Sequence, residues 1–318
     1  MANASQIASL IQSHFSNEDE RFSTLALQIA AHEARLGHTA TAQLIREMIE
    51  KEKSNKTKLK VLKMGTDLGD LIFESSPQNK LNQLVIPDDL KLRIERILKE
   101  YRQRSKLQKH GLSHRRKILL VGPPGTGKTM TATTIAGELH LPLYSVQMDK
   151  IVTKYLGETS AKLRQVFDFI DSQKGVFLFD EFDAIGTERS KENEVGEMRR
   201  ALNSFLQFME ASSSESLIIA ATNNISLLDR ALFRRFDDIL HYQLPKPEDA
   251  IQLIKNRLGT FGKNLKLNGL EEEVSGLSHA QLTQACDDAV KESILTDLTS
   301  VDLDILKACL QEKKAFQQ

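Results

Sequence analysis

The stretch LLVGPPGTGKTMTATTIAGEL, Leu119 to Leu139, decides how this chain folds. Its apolar opening, Leu119 to Val121, runs into glycines and prolines, and a lysine, a threonine and a helix-forming sequence follow at once. Gly122, Gly125 and Gly127 open backbone conformations closed to other residues, so the loop can turn several N–H groups toward one point. Such a point attracts an anion. GPPGTGKT, Gly122 to Thr129, fits the phosphate-binding loop pattern in full, between an expected strand and an expected helix.

In such a loop the backbone N–H groups and the positive end of the helix hold phosphates. Gly122, Pro123, Pro124, Gly125, Thr126, Gly127, Lys128, Thr129 and Met130 are the residues placed to form that cradle. Lys128 would reach the β and γ phosphates, and the Thr129 hydroxyl would ligate Mg²⁺. Further along, GVFLFDEFDAIG ends an apolar run in Asp180 and Glu181. A buried strand that closes on two carboxylates brings them to the sheet edge where ligands bind in such folds. Asp180 can hold the metal through its water shell, and Glu181 can polarise an attacking water.

The rest of the chain organises around this centre. LYSVQ (143–147), VFLFD (176–180), SLIIAAT (216–222) and DILHYQL (238–244) read as strands beside KILLV (117–121), separated by helical patterns at 128–140, 159–173 and 194–210. Apolar runs alternating with helices imply an α/β fold, a parallel sheet covered on both faces. After Pro245 and Pro247 only helices are expected, which marks a separate helical subdomain. A basic helix is expected from about Pro87 to Leu107. Near the start, RFSTLALQIAAHEARLGH and TATAQLIREMIEK read as a helical hairpin, and the lysine-rich run 51–63 with ESSPQNK (74–80) reads as linker. The expected domains are therefore a helical N-terminal domain at 1–53, a linker at 54–84, an α/β nucleotide domain at 85–245 and a helical subdomain at 246–318.

GPPGTGKT, LFDEFDAIG and IIAATNNISLLDRALFRRFD together resemble the AAA clade of AAA+ ATPases, over roughly Val85 to the C-terminus. The resemblance implies ATP and Mg²⁺ as cofactors, and a ring, usually hexameric, with sites at subunit interfaces. It implies that Asn223, with Asn224 as the competing choice, positions the water near the γ-phosphate. The family's Arg-Pro-Gly-Arg-Phe-Asp run supplies arginines to the adjacent subunit. Here the run is Arg234-Arg235-Phe236-Asp237, without Pro-Gly, which leaves open which arginine takes which role. KYLGETSAKLRQVF (154–167) resembles a pore loop, so that Lys154, Tyr155 and Leu156 would grip an extended polypeptide, with Glu197, Arg199 and Arg200 near a second such loop. The resemblance makes residues 246–318 a helical lid, in which LSHAQL aligns with a Ser-Gly-Ala-Asp pattern near the adenine. Ala280 would touch the base and His279 departs from the pattern, while Val85, Ile86 and Gly111-Leu112 would cover its other face.

Composition narrows the functions. In 318 residues, 43 Lys plus Arg balance 43 Asp plus Glu, so the whole chain has no bias toward nucleic acid or membrane. No segment approaches the roughly 20 apolar residues that span a bilayer, and the N-terminus lacks the basic and apolar regions of a signal peptide. A cytoplasmic protein is expected, with Cys286 and Cys309 as reduced core thiols. HEARLGH fails as a zinc motif because Leu36 stands where the second histidine is required. The expected function is a ring-forming ATPase that remodels, unfolds or threads a protein client. The alternatives are a regulatory ATPase that switches a separate effector protein, and a nucleic-acid machine using the basic segment Lys91 to Lys117, the less favoured of these because it lacks interleaved aromatics apart from Tyr101.

Overall fold

The computed structural model describes residues 19–35, 38, 41–43, 66–153, 157–185, 192–225, 230–263, 265–267 and 269–315. The chain divides into two compact units, Met1–Met64 and Gly65–Gln318. In the first, helix α1 (Asp19–Arg35) buries Ala26 and Ala30, one helical turn apart, and ends where His38 Nδ1 meets the Glu33 carboxylate at 2.7 Å. The second arm of the expected hairpin lies mostly outside the described residues.

The second unit opens with α2 (Thr66–Leu71) and β1 (Ile72–Ser75), then a 3₁₀ turn at Leu81–Gln83. These elements follow one another inside the stretch that reads as linker. Leu84 and Ile86 are buried in the main core, Leu81 N–H donates to Glu138 at 3.1 Å, and Asn79 packs so tightly that a Cβ on Gly137 would stand 2.4 Å from its carbonyl oxygen. The order continues α3 (Asp88–Arg102), α4 (Arg104–Gln108), β2 (Lys117–Val121), α5 (Lys128–Leu139), β3 (Leu143–Val146), α6 (Met148–Ile151), α7 (Glu158–Ser172) and β4 (Val176–Phe179). Then come α8 (Glu192–Ala211), β5 (Leu217–Thr222), α9 (Arg230–Phe233) and β6 (Asp238–His241). The helices expected as the lid follow: α10 (Pro247–Leu258), α11 (Glu271–Val274), α12 (His279–Leu295) and α13 (Leu303–Ala315).

The strands form one sheet in the order β1-β3-β4-β5-β2-β6. Every neighbouring pair is parallel except β1 with β3, where Ile72 faces Val146 and Ser75 faces Leu143 in antiparallel register. Alternation along β4 shows how both faces are filled. Val176 and Leu178 join Ile94, Ile97, Ile118 and Ile135 under α3 and α5, whereas Phe177 and Phe179 point to the other face. There Phe205 of α8 packs against Phe167, Phe179 and Phe182 at centroid distances of 5.4, 5.1 and 4.6 Å. The lid has its own core, in which Ile254, Leu270, Leu282, Cys286 and Leu306 meet. Burial pushes the Cys286 thiol up to about 12, so it is an inert thiol in this core.

Two sequence expectations need adjustment here. The basic helix breaks at Gln103, whose backbone leaves helical geometry, and the break lets Arg104 lie over the Tyr101 ring at 4.7 Å and donate to Glu215 at 3.0 Å. The segment is also less free than its charge implies. Arg93 pairs with Asp238, Arg102 with Glu138 at 3.0 Å, and Arg115 with Glu100 at 2.7 Å. Arg116 donates to the Ser214 carbonyl at 2.5 Å. Five of the basic side chains are thus engaged within the fold.

Phe205 has no solvent exposure and touches three other rings, so Phe205→Ala leaves a cavity that rigid strands cannot close. The expected loss is about 3–5 kcal/mol, measured as a lower denaturant midpoint with an unchanged slope.

Candidate nucleotide site

Parallel register places three strand ends side by side. Val121, the last residue of β2, is level with Thr222, the last of β5, and Phe179, the last of β4, is level with Ala220. The loops that follow therefore emerge together: Gly122 onward from β2, Asp180 and Glu181 from β4, Asn223 from β5. Gly122 N–H donates to the Thr222 carbonyl at 3.3 Å, tying the first to the third.

The loop Gly122 to Thr129 has the geometry its glycines predict. Gly122, Gly125 and Gly127 take φ of 156°, 72° and 98°. Space is as restrictive as torsion: a Cβ on Gly122 would stand 2.3 Å from the Tyr242 carbonyl oxygen, and one on Gly125 would stand 2.8 Å from Ser278 Oγ. Thr126, fully buried, closes the turn by donating to the Pro123 carbonyl at 2.8 Å. The Lys128 ammonium donates to the carbonyls of Gly122 and Pro123 at 2.7 and 2.8 Å, which holds it under the loop. Burial pulls its pKa below the ordinary lysine value, and the carboxylates of Asp180 and Asp183 oppose that shift. Thr129 Oγ1 donates to Asp180 Oδ2 at 2.6 Å, so a hydroxyl and a carboxylate converge beside the loop. This pair and the glycine cradle suit a phosphate group with a divalent cation.

Glu181 follows with its side chain exposed, in a left-handed conformation at φ 51°, and its N–H donates to Asp180 Oδ1 at 2.9 Å. That conformation is costly for glutamate, and strain of this kind gathers at functional positions. Asn223 is exposed across the cleft, and its backbone N–H donates to Asp183 Oδ1 at 3.3 Å.

A cleft of about 1200 Å³ joins these groups to the lid. Pro124 to Met130, Asp180, Glu181 and Asn223 line it together with Val85, His279 and Ala280. The lid reaches the loop through the start of α12. There Ser278 and Gln281 cap the helix reciprocally, and Ala280 N–H donates to the Gly125 carbonyl at 3.0 Å. His279 sits between: burial pulls its pKa below the usual imidazole value, the Val85 backbone and Asp249 oppose that, and neither ring nitrogen is within hydrogen-bond geometry of a described partner.

Several expected residues lie elsewhere. Gly122 and Pro123 support the loop from beneath without lining the cleft. Ile86 is buried in the core, and Gly111 and Leu112 are exposed away from the cleft, so of the residues expected on the base's other face only Val85 remains. Arg234 and Arg235 do not join the cleft of their own chain. Arg235 pairs with Glu210 of α8, whereas Arg234 is exposed and makes no ion pair among the described residues. Lys154, Tyr155 and Leu156 lie outside the described residues, as do the side chains of Glu197 and Arg199. Arg200 is exposed on α8.

The structure adds residues that the sequence reading passes over. Asn82 and Gln83 line the cleft, as does Arg257 of the lid, held by Asp287 in a two-toothed pair at 2.6 and 2.7 Å. No local motif marks Arg257, because only the lid's folding brings the end of α10 beside α12. Asp183 carried a signal, a third acid in DEFD, but its partners come from a distant strand.

A glycine loop between strand and helix, a buried lysine, a hydroxyl facing a carboxylate and a neighbouring glutamate define a P-loop nucleoside-triphosphate-binding protein. Comparison with known proteins narrows this. Residues 118–244 match the model of the ATPase family associated with various cellular activities (AAA). A Sinorhizobium fredii protein described as an uncharacterized AAA family ATPase, y4kL, is 30% identical over 318 residues, covering 98% of this chain and 96% of its own length. The ATP-dependent zinc metalloprotease FtsH 2 of Thermoanaerobacter is 30% identical over 65% of this chain, which spans 42% of that relative. The proteasome-activating nucleotidase of Methanoculleus marisnigri is 32% identical over 63% of this chain, which spans 51% of that relative. The chain belongs to the AAA family of ATPases, and its enzymatic activity is ATP hydrolysis.

Removing the buried ammonium should empty the site. Lys128→Ala is expected to weaken ATP binding at least about 10-fold, the loss of a charge-assisted contact. Titration with a fluorescent ATP analogue checks this, with the melting temperature as a control for folding.

Proposed function

We propose that this chain assembles into a ring, a homo-hexamer, and uses ATP hydrolysis with Mg²⁺ to unfold or thread a protein client. The observation that carries the reading is the placing of the two arginines. Arg235 is engaged with Glu210 of its own chain, while Arg234 stands exposed and outside the cleft that holds Lys128. A guanidinium set apart in this way is free to neutralise charge on the phosphate in a neighbouring subunit's cleft. On this assignment Arg234 completes the adjacent site and Arg235 braces the loop that presents it.

Within one cleft the roles divide by position. Thr129 and Asp180 would hold Mg²⁺, which when bound neutralises charge on the β and γ phosphates. The loop N–H groups and Lys128 bind and orient those phosphates, for which the lysine must leave the carbonyls of Gly122 and Pro123. Glu181 takes up a proton from the attacking water, and Asn223 orients that water. Ala280, whose N–H donates to the Gly125 carbonyl, touches the base. Residues 246–318 act as the lid, and the N-terminal segment 1–53 recruits the client.

The relatives' names support a protein substrate: one is an ATP-dependent metalloprotease and the other a proteasome-activating nucleotidase. The second name also favours the alternative in which this ATPase acts on a separate effector protein. The nucleic-acid reading loses its motive where arginines of the basic segment are paired internally. Among the described residues no helix is long and apolar enough to cross a membrane; the setting we propose is the cytoplasm.

Turnover per subunit, measured across a wide range of protein concentration, tests the ring. It should rise steeply with concentration, and Arg234→Ala should lower it by about 10³-fold, the scale of a supplied arginine, while Arg235→Ala has a smaller effect. Turnover that is flat with concentration and insensitive to Arg234→Ala contradicts the reading. Tyr155→Ala is expected to cut unfolding of a tagged client about tenfold more than it cuts ATP turnover, and equal losses would favour the separate-effector alternative.

A further inference from the structure

Asp183 is a buried-side neighbour of the site that the division of roles above leaves unused. It lies in the 3₁₀ turn Phe182–Ile185, three residues after Asp180. Phe182, fully buried among Phe205 and its neighbours, anchors the turn, and Ala184 N–H donates to the Glu181 carbonyl at 2.8 Å to close it. The turn carries the Asp183 carboxylate across to the end of β5. There a single oxygen, Oδ1, accepts from Thr222 Oγ1 at 3.2 Å and from Asn223 N–H at 3.3 Å. Thr222 has no solvent exposure, and its Oγ1 accepts in turn from Asn224 N–H at 3.1 Å, so all three residues at this strand end share one network.

Asn223 leaves β5 at a bend, where the ladder no longer fixes its backbone. Its side chain can serve as a fixed polar group only if something else holds its main chain. A carboxylate accepting that N–H is a strong candidate for the task, because hydrogen bonds to an ionised acceptor are about twice as strong as neutral ones. The same carboxylate is near enough to Lys128 to oppose the effect of burial on its ammonium.

We propose that Asp183 is a positioning residue: it fixes the backbone of Asn223, through Asn223 N–H and Thr222, so that the Asn223 side chain faces the reacting phosphate. This rests on the reading of Asn223 as the residue that orients water. The acidic segment after β4 thus supplies a second service besides Asp180 and Glu181, by setting the loop after the adjacent strand. Positioning of this sort acts on the chemical step more than on nucleotide binding, since displacements of about 1 Å can cost up to about 10²-fold in rate.

A double-mutant cycle with Asn223→Ala, Asp183→Ala and the double variant tests this, reading kcat, KM and ATP affinity at protein concentrations where turnover per subunit has levelled off. Asp183→Ala is expected to lower kcat about tenfold or more while ATP affinity changes less than about threefold. The double variant should be no more than about twofold slower than Asn223→Ala alone, because the two residues act as one. Asp183→Asn, which keeps an accepting oxygen, should recover much of the kcat lost in Asp183→Ala. Asp183→Glu, which keeps the charge but moves the oxygen, should remain impaired, and it serves as the second variant in the cycle if Asp183→Ala folds poorly. Losses that multiply in the double variant, or full kcat in Asp183→Glu, overturn the positioning role. Full kcat in Asn223→Ala instead overturns the reading of Asn223, and the two failures are distinguishable.

Discussion

Parallel pairing of β5 between β2 and β4 is the constraint on which the site depends. It sets Val121 beside Thr222 and Phe179 beside Ala220, and so brings a phosphate loop, an acidic pair and a polar asparagine to one edge of the sheet. The strands hold this register because both faces are buried. A slip of one residue would turn Phe177 and Phe179 into the aliphatic layer and drive Leu178 toward the aromatic one. The register of the core therefore fixes the geometry of the chemistry, over side chains that never touch the nucleotide.

The loop between β2 and α5 adds a second constraint, of space. Tyr242 presses against Gly122 from β6's continuation, and Ser278 and Ala280 press against Gly125 from the lid. Tyr242 also donates its hydroxyl to Thr131 at 2.6 Å, and Thr131 donates to the Gly127 carbonyl at 3.0 Å, so the far side of the loop is braced through α5. The glycines serve close approach as much as torsion. Because Ala280 bonds to Gly125, the lid and the loop share a contact, and a change in one is felt by the other.

Legibility in the sequence followed the range of the interactions. The phosphate loop and the acidic strand end were readable because their chemistry is local, and the five parallel strands were readable as apolar runs too short for helices. Strand β1 was missed: IFES is four residues long, sits on the sheet edge with Phe73 exposed, and lacks a buried run to mark it. Within the stretch that reads as linker, Asn79 and Leu84 are likewise held by α5 and the core rather than marked by any pattern of their own. The basic segment had a charge signal, but its partners, Glu138, Glu215 and Asp238, are far away in sequence. Arg234 and Arg235 are identical in the sequence, and only Glu210 on α8 distinguishes them.

On the proposed reading one cleft binds ATP through the loop and cleaves it through the acid beside the loop, two functions carried by separate groups. ATP binding and steady-state turnover, measured side by side on Glu181→Gln with Mg²⁺ present, test it most directly. Binding should stay within about threefold of the unaltered protein while turnover falls at least about 10²-fold, the scale of a lost general base. Turnover that survives the substitution, or binding that is lost together with it, would contradict the account.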